Sequence, residues 1–233
     1  MLYLGYQIEK RGIIMKKLTQ EELDVILDEH EAWADKPEKG KKADLSFISM
    51  EGLDFSHRTL DHIDFRYSRL KRANFEGAKA YSSIFICSGL KEANLKGIYA
   101  YSCNFWGADL SGVEAQGGIF KDANFKVANL NNANFSSANL SHARLFLTRV
   151  KETNFLFTDF SATSVTSIED MYSVDAGIHY GKVTYLPLYN RVVTPYWQGS
   201  EEEFIAQFTE DIELLDIAVY MVKKVAKQYG KDL

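Results

Sequence analysis

Every fifth residue from Leu45 to Val165 is apolar, and the series never slips. It begins Leu45, Met50, Phe55, Leu60, Phe65, Leu70, Phe75, and 19 of its 25 members are Leu or Phe. Neither regular element buries such a set. Five steps of an α-helix drift by about 140°, so the residues spread around its circumference. Five steps of a strand end on the opposite face. The chain must therefore turn a corner once per unit, always with the same side inward.

The flanking positions carry the same period. Two residues before each centre, Ala occurs ten times, as at Ala73, Ala93, Ala123 and Ala138, and Thr148, Thr153, Thr158 and Thr163 continue the small series. One residue before the centre, Asn or Asp occurs thirteen times. A large and a small inward residue can share a narrow core. Asn and Asp tolerate left-handed backbone and bond neighbouring peptide groups, which suits a corner.

Ala123-Asn124-Phe125, Ala128-Asn129-Leu130, Ala133-Asn134-Phe135 and Ala138-Asn139-Leu140 resemble the A(D/N)LXX pattern of the pentapeptide-repeat family. The resemblance implies an all-β solenoid, a right-handed quadrilateral β-helix with four units and twenty residues per coil. Six coils at the spacing of stacked strands make a rod of roughly 30 Å. Centres twenty apart then stack, so Phe65, Phe85, Phe105 and Phe125 form one ladder. Ala100 follows Ile98 and Ala115 follows Val113, an exchange of the large and small slots that conserves volume. Ala80 follows Ala78 without exchange, which predicts a locally underfilled core covered by Tyr81.

Three parts are expected: an N-terminal extension and capping helix over 1–42, the solenoid over 43–167, and a C-terminal β-hairpin plus α-helix module over 168–233. Thr19-Gln20-Glu21-Glu22 reads as a capping box with Leu18 and Leu23 as its hydrophobic staple, opening a helix from about Gln20 to Ala34. Lys182–Tyr185 and Arg191–Thr194 read as strands around a turn at Pro187–Asn190. Ser200-Glu201-Glu202-Glu203 is a second capping box, followed by one or two helices carrying Phe204, Ile205, Phe208, Ile212, Leu215, Ile217, Val219, Val222 and Val225. This module is expected to close the solenoid or to form a dimer contact, and the two are compatible. Met15-Lys16-Lys17 reads as a second start, which makes residues 1–14 an upstream extension.

Composition narrows the function. Lys+Arg is 27 and Asp+Glu is 32, a net charge of −5, against a simple nucleic-acid binder. Two cysteines exclude a disulfide framework, and the first residues lack a signal-peptide layout, so a cytoplasmic location is expected. The chain offers no membrane span, no cofactor motif and no metal site. His57 and His62 lack a third ligand, Asp61-His62 beside Ser82 is a chance-level triad, and Cys103 falls in a small inward slot as an inert thiol. A non-enzymatic protein is expected.

The outward positions differ between sides. The first side, with centres at 45, 65 and 85, carries Phe47, Tyr67, Ile84, Ile86, Cys87, Trp106, Val127, Phe146 and Leu147. The adjacent fourth side, with centres at 60, 80 and 100, carries Tyr81, Tyr99, Tyr101 and Ile119. The other two sides carry mostly Ser, Asn, Gly, Lys, Arg and Glu. An exposed apolar strip on a folded protein marks a contact, either with a terminal segment folding back or with a partner or second copy. The stretch Gly199–Phe204 after a hairpin is similar to the tail of phage and prophage members of the family, which implies an accessory protein acting on a host protein. Some family members bind DNA gyrase or topoisomerase IV as acidic rods, which makes a topoisomerase-directed modulator the alternative. Residues 43–167, however, hold 13 Lys+Arg and 12 Asp+Glu, and a near-neutral rod mimics DNA poorly.

Overall fold

The computed structural model describes residues 6–9, 12–164, 172–175, 182–186, 191–193 and 198–208. From Asp44 to Ser164 the chain winds into coils whose isolated parallel bridges join residues twenty apart, as in Asp44↔Asp64, Asp64↔Ile84 and Ile84↔Asn104. Four such ladders run in parallel, so the coil has four sides of five residues. Each centre donates its N–H to the next coil: Phe65 to Ile84 O (2.8 Å) and Phe85 to Asn104 O (2.7 Å). The residue before the centre donates back to the preceding coil, as Asn74 does to Leu53 O (2.9 Å).

Between sides the chain makes a four-residue turn. Ala73 N–H donates to Leu70 O (3.0 Å), and of the two central residues only Arg72 has positive φ, at 58°. That is the type II signature. Every fifth residue from Phe47 to Ala162 has positive φ, and most are not glycine. Here the structure corrects the expectation for Asn and Asp. The left-handed position lies two residues after the centre and accepts Phe, His, Tyr, Ser, Cys and Val alike. Asn and Asp sit one residue before the centre in extended backbone. Their Oδ1 accepts the N–H two residues on, as Asn104 does from Trp106 (3.1 Å) and Asp54 from Ser56 (3.0 Å). The amide nitrogens also link coils: Asn74 donates to Asp54 and Asn94 to Asn74, each at 2.9 Å.

Inside, the phenylalanines stack. Phe55 and Phe75 are 4.5 Å apart, and Phe65, Phe85, Phe105 and Phe125 follow one another at 4.7 to 4.9 Å with nearly parallel planes. Ile98, Ala100, Val113 and Ala115 are all buried, as the exchanged slots require. Ala78 and Ala80 are buried too, but Tyr81 does not cover them. It turns outward and stacks on Tyr101 at 5.2 Å. Small polar residues in the inward slot donate to a carbonyl, either one coil back, as Ser83 does to Leu60 O (2.6 Å), Thr148 to Phe125 O (2.8 Å) and Thr153 to Leu130 O (2.7 Å), or within the same turn, as Ser68 does to Phe65 O and Ser88 to Phe85 O (each 2.7 Å).

The first coil has no predecessor, and its open N–H groups find other acceptors. α1 (Gln20–Asp35) opens with the expected capping box, Thr19 and Glu22 each accepting the other's N–H, and it buries Leu23 and Leu27. From this helix Gln20 Oε1 accepts Asp54 N–H (2.8 Å), Glu31 Oε1 accepts Thr59 N–H (2.9 Å), and His30 Nδ1 accepts Ala43 N–H (3.1 Å). Arg58 ties the same face to Asp28 (2.6 Å) and Glu31 (2.9 Å). Two strands absent from the sequence reading precede the helix. β1 (Tyr6–Glu9) pairs antiparallel with β2 (Gly12–Lys17), which runs through Met15 and pairs parallel with β3 (Ile48–Ser49) of the first coil.

A second, antiparallel sheet has the order β4 (Tyr172–Asp175), β5 (Lys182–Leu186), β6 (Arg191–Val193), β7 (Gln198–Ser200). β5 and β6 are the expected hairpin strands; β4 and β7 were not anticipated. α2 (Glu201–Phe208) begins with the second capping box, Ser200 and Glu203 exchanging bonds at 2.8 and 3.1 Å, and it buries Phe204. Pro187–Asn190, residues 165–171 and the apolar series from Ile212 to Val225 lie outside the described residues.

Candidate protein-interaction surface

The twenty-residue period decides which side chains become neighbours. Lys79, Tyr99 and Ile119 are consecutive rungs of the fourth side's ladder, and Asp64, Ile84 and Asn104 of the first. Tyr67, Tyr81, Tyr99, Trp106, Val127, Phe146 and Leu147 are exposed, Trp106 at 43%. Phe47, Ile84, Ile86, Tyr101 and Ile119 are half-buried. All twelve expected contact residues thus lie on the surface of two adjacent sides.

Two pairs of rings on these sides stack along the coil axis. Phe47 and Tyr67 are 4.8 Å apart, and Tyr81 and Tyr101 5.2 Å apart with 13° between planes. Rings stacked this way spend their faces on one another and present edges outward. Such a surface offers apolar edges and phenol groups, which suits a protein partner, more than open faces for a base or sugar. Asp61 Oδ1 holds the Tyr81 N–H at 2.8 Å. Burial, then Tyr101, Asp61 and Tyr99, raises the Tyr81 pKa above that of a free phenol.

The second and third sides differ. Arg72 pairs with Glu92 at 2.8 Å in the open, and Asp54, Asn74 and Asn94 form the amide ladder already described. Nevertheless Phe157, 64% exposed, lies on the third side near the last described rungs, and Val25 is exposed on α1. Sequence reasoning passed over both. Phe157 was legible, because the period places it at a corner position; Val25 sits on the polar face of an otherwise ordinary amphipathic helix.

Among the described residues, the side chains with reactive chemistry do not assemble. Among the described residues no group of three or more His, Cys, Asp and Glu could hold a metal ion. No hydrogen bond joins Asp61, His62 and Ser82; Asp61 Oδ1 instead accepts the Tyr81 backbone N–H. Cys103 is buried, its thiol donates to Ala80 O (2.6 Å), and burial pushes its pKa up, away from the thiolate. Cys87 is free and half-buried. No described helix is long and apolar enough to cross a membrane.

Comparisons with known proteins bear on the winding. The pentapeptide repeats family matches with 8 copies over residues 60–97, 89–126 and 108–145. A pentapeptide repeat protein from the Arabidopsis thaliana thylakoid lumen is 29% identical over 51% of this chain and 69% of its own, with a TM-score of 0.38. QnrB1, a plasmid-mediated fluoroquinolone resistance protein, is 20% identical over 55% of this chain and 69% of its own, with a TM-score of 0.31. Rfr23, a pentapeptide repeat protein of the cyanobacterium Cyanothece 51142, is 30% identical over 44% and 64%, with a TM-score of 0.22. No curated protein sequence matched the chain. The family match spans 60–145, and across that segment the bridges join residues twenty apart along four ladders, as a four-sided coil of five-residue units requires.

Proposed function

We propose that this chain is a non-enzymatic protein-binding solenoid that presents its first and fourth sides to a protein partner. The observation that carries this reading is the grouping of exposed aromatic and aliphatic residues on two adjacent sides, while the other two carry mainly amides and charges. Contiguous apolar surface of this kind is costly to leave in water, and aromatic residues are the usual anchors of protein contacts. In this reading 1–42 serves as the N-terminal cap, 43–167 as the binding rod and 168–233 as a separate C-terminal module, in a cytoplasmic protein. The tail around Gly199–Phe204 supports a phage or prophage accessory role, with a host protein as target. A topoisomerase is the alternative target. The charge balance of the repeats does not favour it as a DNA mimic.

Retention of proteins from a bacterial lysate tests the reading. Wild type and Lys151→Glu, on the second side, retain the same proteins, and Trp106→Glu loses them. Identical retention by all three rejects it. Absence of any change in gyrase supercoiling or quinolone protection at micromolar protein removes the alternative.

A further inference from the structure

Resting on that reading, the fourth side carries a pattern that names an occupant. Its outward residues are, coil by coil, Thr59, Asp61 and His62; Lys79, Tyr81 and Ser82; Tyr99, Tyr101 and Ser102; Ile119, Lys121 and Asp122. The bridges Thr59↔Lys79, Lys79↔Tyr99 and Tyr99↔Ile119 and the bonds from His62, Ser82 and Ser102 N–H to Tyr81, Tyr101 and Lys121 O fix this stacking. None of these twelve is buried.

We infer that the fourth side binds the same side of a second copy of this chain, antiparallel, about a two-fold axis between the second and third coils. Such an axis lies in the interface across the coil direction. It maps the first coil onto the fourth and the second onto the third, and it keeps each turn position opposite its own kind. Asp61 then faces Lys121 of the other copy, and His62 faces Asp122. Lys79 lies beside the Tyr99 ring, and Tyr81 meets Tyr101. Every contact occurs twice, as a closed two-fold contact requires, and no like charges meet.

The register is specific. Moving the axis half a coil toward the N-terminus sets Lys79 against Lys79. Moving it half a coil the other way sets Asp61 against Ser141 and Lys121 against Tyr81, so the ion pair is lost. A parallel pair leaves Asp61 and Lys121 three coils apart, about 14 Å. Opposite charges flanking an aromatic centre in mirror order are what a self-docking surface uses to fix its partner and orientation.

The test is sedimentation velocity on the full chain from micromolar to millimolar concentration. Wild type dimerises. Lys121→Glu places Glu against Asp61, and Asp61→Lys places Lys against Lys121, twice in each homodimer; each variant weakens dimerisation about tenfold. Mixing the two variants restores it, because each foreign pair is then attractive. Because Asp61 also holds the Tyr81 N–H, a second measurement stands apart from it. In a Cys87→Ser background, copies with His62→Cys and copies with Asp122→Cys cross-link when mixed, and neither cross-links alone. A monomeric wild type, unchanged single variants, a folded mixture that fails to associate or absence of the mixed cross-link overturns the proposal. If wild type is monomeric yet Trp106→Glu still loses lysate partners, the second copy is rejected and the protein-binding reading stands.

Discussion

The Phe65 and Phe85 rings lie one above the other, 4.7 Å apart with 6° between their planes. They are twenty residues apart in sequence and each is fully buried, so their contact exists only because the chain closes a coil in twenty residues. Phe85 also meets Phe105 at 4.9 Å and Phe75 edge-on at 5.9 Å. Truncating it opens a cavity between three rings. Phe85→Ala is expected to cost about 3–5 kcal/mol in urea unfolding, while Phe85→Leu, which occurs naturally at Leu90 and Leu95, costs far less.

His30 makes the N-terminal end sensitive to acid. Its Nδ1 accepts Ala43 N–H, which requires the neutral ring, and burial lowers its pKa from 6.5. A lowered folded pKa means that the unfolded chain binds the proton first. The contribution is therefore complete above about pH 6.5 and is lost as the pH falls through the folded value. Thermal melts between pH 4 and pH 8, compared with those of His30→Asn, check this. The variant keeps an acceptor for Ala43 but loses that part of the acid slope.

Gly118 occupies the small inward slot ahead of Phe120. A Cβ there falls 2.6 Å from Phe120 Cε2 and 3.2 Å from Ala115 O. The slot takes Ala in ten other units, yet Gly118→Ala is expected to destabilise by about 1–3 kcal/mol through overpacking. A denaturant midpoint lower than that of wild type is the readout.

Val127 holds a left-handed corner, φ 61°, with a β-branched side chain. Left-handed backbone costs an L-residue about 1–2 kcal/mol, part of which glycine returns as unfolded-state entropy. Val127→Gly is expected to raise stability by about 0.5–1 kcal/mol, seen as a higher melting temperature.

The winding was legible because Leu and Phe recur at an interval that helix and strand both reject, and one family pattern accounts for it. The aromatic sides followed by arithmetic, since each outward position is fixed by its place in the unit. What escaped was set by geometry without a residue signature. The left-handed corner takes almost any side chain, as His57, Tyr67 and Glu92 show, so nothing in composition marks it. β1 pairs antiparallel with β2, and β2 parallel with β3, yet Tyr6-Gln7-Ile8-Glu9 alternates over only four residues and Gly12–Lys17 does not alternate at all, so neither run announces a strand. Tyr81 was misjudged because the unexchanged Ala78 and Ala80 suggested a void to cover, whereas Tyr101 one coil on offered a ring to stack against.

The placement of the contact residues on two adjacent sides is tested most directly by moving them. Deleting Ser88–Glu92 removes one five-residue unit and turns everything after it by a quarter revolution, so Tyr99 and Tyr101 leave the side of Tyr81. Deleting 123–142 removes a whole coil, with Val127 the one contact residue lost, and leaves the remaining sides aligned. The measurement is retention of lysate partners by both deletions, each checked for a cooperative melt. The quarter-turn deletion is predicted to fold and lose the partners, and the whole-coil deletion to fold and keep them. Equal retention by both folded deletions would contradict the account.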